Sequence, residues 1–129
     1  MPPSSGMSRA AALALVAAGA LADELPPLPG TGETAVLTMM FGGEERTFAV
    51  YAPLLQLASP APVVFSMHGA GSTWFEQVFL SDFNLLADEH GFLAVYPQGY
   101  GNTWNSGPRC CSPANTDGID DVSSCTHYL

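Results

Sequence analysis

A chain of 129 residues has room for one domain, and its 47% apolar content rules out wholesale disorder. Arg9, Arg46 and Arg109 are the only strong cations against twelve carboxylates, so the formal net charge is -9. Such a chain repels phosphate backbones and offers no basic patch to an anionic bilayer, which argues against nucleic-acid binding and against a stable membrane anchor.

The N-terminus has the layout of a secretory signal over residues 1–22. Met7-Ser8-Arg9 gives a short positive start, Ala10 to Leu21 is apolar, and Ala20-Leu21-Ala22 fits an A-x-A cleavage site. The apolar run is shorter than the roughly 20 residues that a bilayer span needs. An Ala-rich buried helix is the structural alternative. Export places the chain outside the cell or in a periplasm, where thiols oxidise. Cys110, Cys111 and Cys125 are then disulfide candidates. Neighbours in sequence rarely bridge each other. Either Cys125 pairs with one of the vicinal two, or their partners lie outside this chain.

Residues 23–33 contain LPPLPGTG and read as a Pro/Gly-rich linker. The fold is expected over 34–122. Thr34 to Met40 and Arg46 to Ala52 are strand-like runs around Gly42-Gly43, which predicts a β-hairpin. Val63 to Met67, VVFSM, is a continuous apolar run and predicts a strand covered on both faces. A helix follows, capped by Ser81 or Asp82, with Phe83, Leu86 and Ala87 inward, Asp88 and Glu89 outward, and Gly91 at its end. Phe92 to Tyr96 is a second buried strand, stopped by Pro97. Strand, helix, strand is a βαβ unit. Gln98 to Gly118 reads as a long loop of the kind that is functional or cross-linked. Asp120 or Asp121 then caps a further helix. The class is α/β: a hairpin, then βαβ, with an incomplete sheet.

The stretch Pro62 to Ser72, PVVFSMHGAGS, carries the chemistry. A strand that ends in His68-Gly69-Ala70-Gly71 lets a ligand approach the backbone closely. Ala70 is positioned to donate its N–H to a developing oxyanion, and His68 is expected to lock the turn through its ring nitrogens. A plain Gly-Ala-Gly turn is the structural alternative. A metal role for His68 lacks a second ligand at a workable spacing, and no metal or other cofactor is expected. Trp104 either lines a pocket and binds substrate or anchors its loop by packing. Asn102 and Asn105 read as turn residues, and Asp117, Asp120 and Asp121 as helix-capping residues, since calcium-loop spacing is absent. No Ser has Gly at both -2 and +2, and Ser72 follows Gly71 directly. His68, His90 and His127 are the only histidines, so no Ser-His-acid triad can be drawn.

Taken together, VVFSMHGAGST, FNLLADEHGFLAVYPQG, WNSG, CC and GIDDV resemble the N-terminal half of secreted α/β-hydrolase esterases, the feruloyl esterase and polyhydroxybutyrate depolymerase group. The resemblance covers about Val63 to Val122. It implies an α/β-hydrolase fold whose third strand ends at His68, an oxyanion-hole turn at His68, Gly69 and Ala70, and feruloyl-polysaccharide or polyhydroxyalkanoate esters as substrates. The family pattern departs after Val122: residues 123–129 read as an atypical tail, and the family's nucleophile, acid and base are not encoded. The chain is thus expected to be a truncated, inactive ester hydrolase. The alternative is a non-catalytic exported binding or interaction protein on a partial hydrolase scaffold.

Overall fold

The computed structural model describes residues 27–127. The signal-like segment 1–22 lies outside them. Residues 27–33 run without strand or helix, as a linker should, and Gly32 N–H donates to the Ala52 carbonyl (2.7 Å) to start the fold.

Strands β1 (Thr34–Phe41) and β2 (Glu44–Tyr51) form the expected hairpin, with Phe41 facing Glu44 in register. Gly42 and Gly43 both take positive φ (61° and 85°), the requirement of a tight hairpin turn that residues with a Cβ meet poorly. Strand β3 (Val63–Phe65) and strand β4 (Leu93–Pro97) pair in parallel, and β4 pairs antiparallel with β2. The sheet order is β1-β2-β4-β3. This is a mixed four-stranded α/β sheet.

Alternation along β2 and β4 sorts the core onto two faces. Phe48, Val50, Ala52, Leu93 and Val95 pack on one face with Met39 of β1. Ala49, Tyr51, Ala94 and Tyr96 pack on the other, with Ala87, Trp74, Val78 and Phe83 from the helices. Burying both faces explains why β4 has no exposed position and reads as an unbroken apolar run. Strand β3 departs from expectation. It ends at Phe65, it is only half-buried, and it lies at one edge of the described sheet, as β1 does at the other.

Two helices, not one, connect β3 to β4. Helix α1 (Trp74–Ser81) was not evident from its periodicity, because Phe75, Phe79 and Leu80 face solvent. Its start is nonetheless written in the sequence: Thr73 and Glu76 form a capping box. Helix α2 (Phe83–His90) ends at Gly91 as expected, with Gly91 N–H donating to the Ala87 carbonyl (2.8 Å). Asp82 does not cap it through its side chain. It sits in the left-handed region (φ 53°) as the joint between the two helices. Asp88 also differs from expectation: it turns inward, accepting from Tyr51 Oη (2.8 Å) and Leu54 N–H (2.8 Å), and so ties α2 to the end of β2.

Helix α3 (Asp121–His127) runs through the segment read as a tail. Asp120 caps it by accepting from Ser123 N–H (2.9 Å). Asp121 does something else. It is buried and accepts from Arg46 Nη2 (2.7 Å), and its second oxygen accepts from Asn105 N–H (2.7 Å). Arg46 shares the inward phase of Phe48 and Val50 and is only 3% exposed. The pair joins the hairpin to α3 and to the long loop. No helix among the described residues is long and apolar enough to cross a membrane.

Two outcomes follow from these contacts. Arg46→Met leaves the Asp121 carboxylate buried without its cation and is expected to lower unfolding free energy by about 3–5 kcal/mol, measured by chemical denaturation. Adding Asp121→Leu recovers part of that loss and leaves the cost of the orphaned Asn105 amide. Tyr51 is expected to show itself in alkali. Burial first, and then the Asp88 carboxylate, push its hydroxyl from 10.0 up to about 12. Its contribution is complete below pH 10 and fades as pH rises towards 12, so a denaturation series should fall across that window and flatten in Tyr51→Phe.

Candidate oxyanion-hole turn

The turn after β3 is built around a buried imidazole. Ser66 continues the pairing beyond β3 by donating its N–H to the Val95 carbonyl (2.8 Å), and its hydroxyl accepts from Gln77 of α1 (2.9 Å). Two residues on, His68 is 2% exposed. Its Nε2 accepts from Gly99 N–H (2.9 Å), and its Nδ1 faces the Gly69 carbonyl (2.8 Å). That arrangement places the ring proton on Nδ1 and leaves Nε2 as acceptor. Both nitrogens are committed, so His68 locks the turn and has no nitrogen left to act as a base.

Gln98 completes the lock, and sequence reasoning missed it. Its Oε1 accepts from Trp74 N–H (3.0 Å) at the start of α1. Its Nε2 lies 3.1 Å from His68 Nε2 and 3.1 Å from Asn102 Oδ1. One side chain thus joins the helix, the imidazole and the loop. The available signal was position: Gln98 directly follows Pro97 at the carboxyl end of β4, beside the end of a parallel neighbour, where open α/β sheets place ligands. Gly99 is equally constrained, because a Cβ there would collide with the Thr103 carbonyl.

Trp104 anchors its loop and also borders a cavity. Its Nε1 donates to the His68 carbonyl (2.8 Å), and its ring lies 4.9 Å from the imidazole, which anchors the loop. It also lines a cavity of about 550 Å³ with Phe65, Met67, Val122, Cys125 and Thr126. Asn102 is a turn residue, as expected, with φ 60° and a carbonyl that accepts from Gly71 N–H (2.8 Å). Asn105 is not. It tethers the loop to the α3 region through Asp121 and the Ile119 carbonyl.

These bonds present the backbone of Gly69 and Ala70 to solvent. Gly71 and Ser72 N–H groups are consumed by Asn102 and Gly69 carbonyls, whereas Ala70 N–H has no partner among the described residues. Ser72 is no nucleophile: its hydroxyl donates to Glu76 Oε2 (2.6 Å), and no imidazole nitrogen bonds it. That same bond is the main reason the exposed Glu76 carboxyl lies below its usual range. His90 is exposed near Glu89, and the His127 ring packs 5.4 Å from Phe41, both remote from the turn. No group of three His, Cys, Asp or Glu among the described residues could hold a metal.

The cysteines pair differently from expectation. Cys110 and Cys111 are joined to each other, and Cys125 is free. Cys125 lies on α3 and packs against the sheet core. Burial raises its thiol above the ordinary range.

No protein-family model matches the chain, and no curated protein matches it.

Gln98→Leu keeps the volume and removes the lock. It is expected to cost about 1–3 kcal/mol in stability. It should also speed amide hydrogen exchange at Trp74 and Gly99 while leaving the β1–β2 hairpin unchanged.

Proposed function

We propose that this chain forms the oxyanion-hole side of an exported carboxylic-ester hydrolase of the α/β-hydrolase type. The observation that carries the reading is the Ala70 amide, without a partner among the described residues, on a turn that His68, Gln98 and Trp104 hold in place. A preorganised donor near a developing alkoxide is worth about 3 kcal/mol in acyl transfer. The turn's place supports the same reading. It follows a strand that is parallel to its neighbour and joined through it to an antiparallel pair, the way such folds begin. It also lies at the carboxyl end of that strand.

Each residue has a role in this reading. His68 and Gln98 are positioning residues, Gly69 and Ala70 face the ester oxygen, and Trp104 backs the turn. The substrates are neutral esters, of the feruloyl-polysaccharide or hydroxyalkanoate kind. A chain of charge -9 disfavours anionic ones. Acyl transfer also needs a nucleophile, and none of the 129 residues provides one on a G-x-S-x-G elbow. The chain by itself is therefore non-catalytic.

An amide-resolved titration with a neutral-tailed alkylphosphonate, which mimics the tetrahedral oxyanion, tests the turn. The Ala70 amide resonance should move and Ser72 should not, and Ala70→Pro, which deletes the donor, should abolish binding. A response absent at Ala70 or unaltered by Ala70→Pro overturns the reading. The purified chain should leave p-nitrophenyl butyrate unhydrolysed. Turnover that disappears on changing one residue would refute the non-catalytic assignment.

A further inference from the structure

The vicinal cysteines form the one cross-link among the described residues, and it does not staple the fold. A disulfide stabilises a protein chiefly by closing a loop in the unfolded chain, and the gain grows with the length of that loop. Cys110 and Cys111 are adjacent, so their bond closes no loop and joins no distant segments. Its setting also differs from that of a buried bridge, because Cys110 is exposed and Cys111 half-buried. Arg109, immediately before the pair, is one of only two strong cations among the described residues. A cation nearby favours thiolate over thiol.

What the pair touches is the loop that supports the turn. Cys111 N–H donates to the Trp104 carbonyl (3.1 Å), and the Cys111 carbonyl accepts from Asn115 N–H (3.1 Å). The Cys110 carbonyl accepts from Ser106 N–H (3.1 Å), which is shared with the Trp104 carbonyl (3.0 Å). Trp104 in turn donates its Nε1 proton to the His68 carbonyl (2.8 Å) and borders the groove of about 550 Å³ beside β3. Two backbone bonds and one indole bond thus separate the disulfide from the His68 turn. The third cysteine does not compete. Cys125 is half-buried, and burial raises its thiol above the ordinary range, which keeps it protonated and unreactive at neutral pH.

We propose that Cys110–Cys111 is a thiol-exchange site, opened by small uncharged thiols in the folded protein, and that its state sets how firmly Trp104 holds the His68 turn. A thiolate attacks the exposed Cys110 Sγ. The bond between the two cysteines breaks, and its electron pair leaves on Cys111 Sγ, which takes a proton. A second thiolate attacks the outer sulfur of the mixed disulfide and releases Cys110 Sγ, which is protonated in turn. Two thiols are oxidised to one disulfide as the pair is reduced to two thiols, and the protons they lose on ionising end on the cysteines. A thiol that carries a carboxylate is disfavoured by the net charge of -9. Opening the bond lets the two residues turn independently, which loosens the grip of Cys111 N–H on the Trp104 carbonyl. The proposal stands on the exposed pair and its bonds to Trp104, and it holds whether or not the Ala70 turn serves an ester.

The full chain, purified without reductant, is treated in native buffer with 2-mercaptoethanol, and its free thiols are alkylated and located by mass spectrometry. Untreated protein should be alkylated at neither Cys110 nor Cys111. Treated protein should be alkylated at both, while Cys125 stays unlabelled and the β1–β2 amides keep their protection from hydrogen exchange. A sample quenched in acid part-way should carry mercaptoethanol on Cys110. In the reduced protein the Trp104 indole proton should exchange about tenfold faster or more, as expected of a local opening. The double variant Cys110→Ser, Cys111→Ser should reproduce that rate without reductant. Reduction that occurs only once the hairpin amides exchange overturns the proposal, because the bond would then be structural. So do free thiols at Cys110 and Cys111 in untreated protein, mercaptoethanol carried on Cys111 instead, or a Trp104 indole that exchanges equally before and after reduction.

Discussion

Arg46 and Asp121 meet beneath the sheet, and the long loop, helix α3 and the groove all depend on that contact. A chain with three arginines and twelve carboxylates has little cationic charge to distribute, yet one arginine is 3% exposed. A buried guanidinium is tolerable only against a carboxylate at bonding distance, here 2.7 Å. The second Asp121 oxygen then fixes Asn105, and Trp104, the preceding residue, comes into register with the His68 carbonyl. The pair therefore organises more than it stabilises. Arg46 Nε is buried without a partner among the described residues, so the ion pair is an incomplete solution energetically.

Around the turn, the same economy operates with neutral groups. His68 uses one ring nitrogen on its own strand end and the other on the loop after β4. Gln98 reaches the start of α1 as well as the imidazole. Three segments that are distant in sequence converge within a few ångströms, and they leave the Ala70 amide without a partner among the described residues. Rigid support around an uncommitted donor is the property an oxyanion site requires, since donors that must reorient during reaction stabilise the transition state less.

The apolar surface is unevenly covered. The sheet is packed on both faces at β2 and β4, but coverage thins towards β3 and over α1, where Phe75 and Phe79 stack edge to face in the open. The groove beside β3 is walled by apolar side chains of the strand, the loop and α3, whereas the exposed aromatics of α1 lie on one helix.

Local chemistry made much of this legible in advance. Gly42-Gly43 between two strand-like runs, the apolar FLAVY stretch, Gly91 as a helix stop, Asp120 as a cap and His68 as the lock of its turn are each decided within a few residues, and each stands in the structure. Helix α1 was written in its capping box but obscured by aromatics that face solvent, because periodicity reports burial and these residues are not buried. The inward turn of Asp88, the pairing of Cys110 with Cys111, the ion pair across 75 positions from Arg46 to Asp121, and the reach of Gln98 could come only from the tertiary structure. Three of these are contacts between segments distant in sequence, and whether a charged or polar side chain turns inward depends on a partner that the local sequence does not name. The sequence by itself determined which segments form the hairpin, the strands β3 and β4 and the helix that Gly91 stops, because these signals are local. Packing decided which polar groups are consumed and which, like the Ala70 amide, have no partner among the described residues.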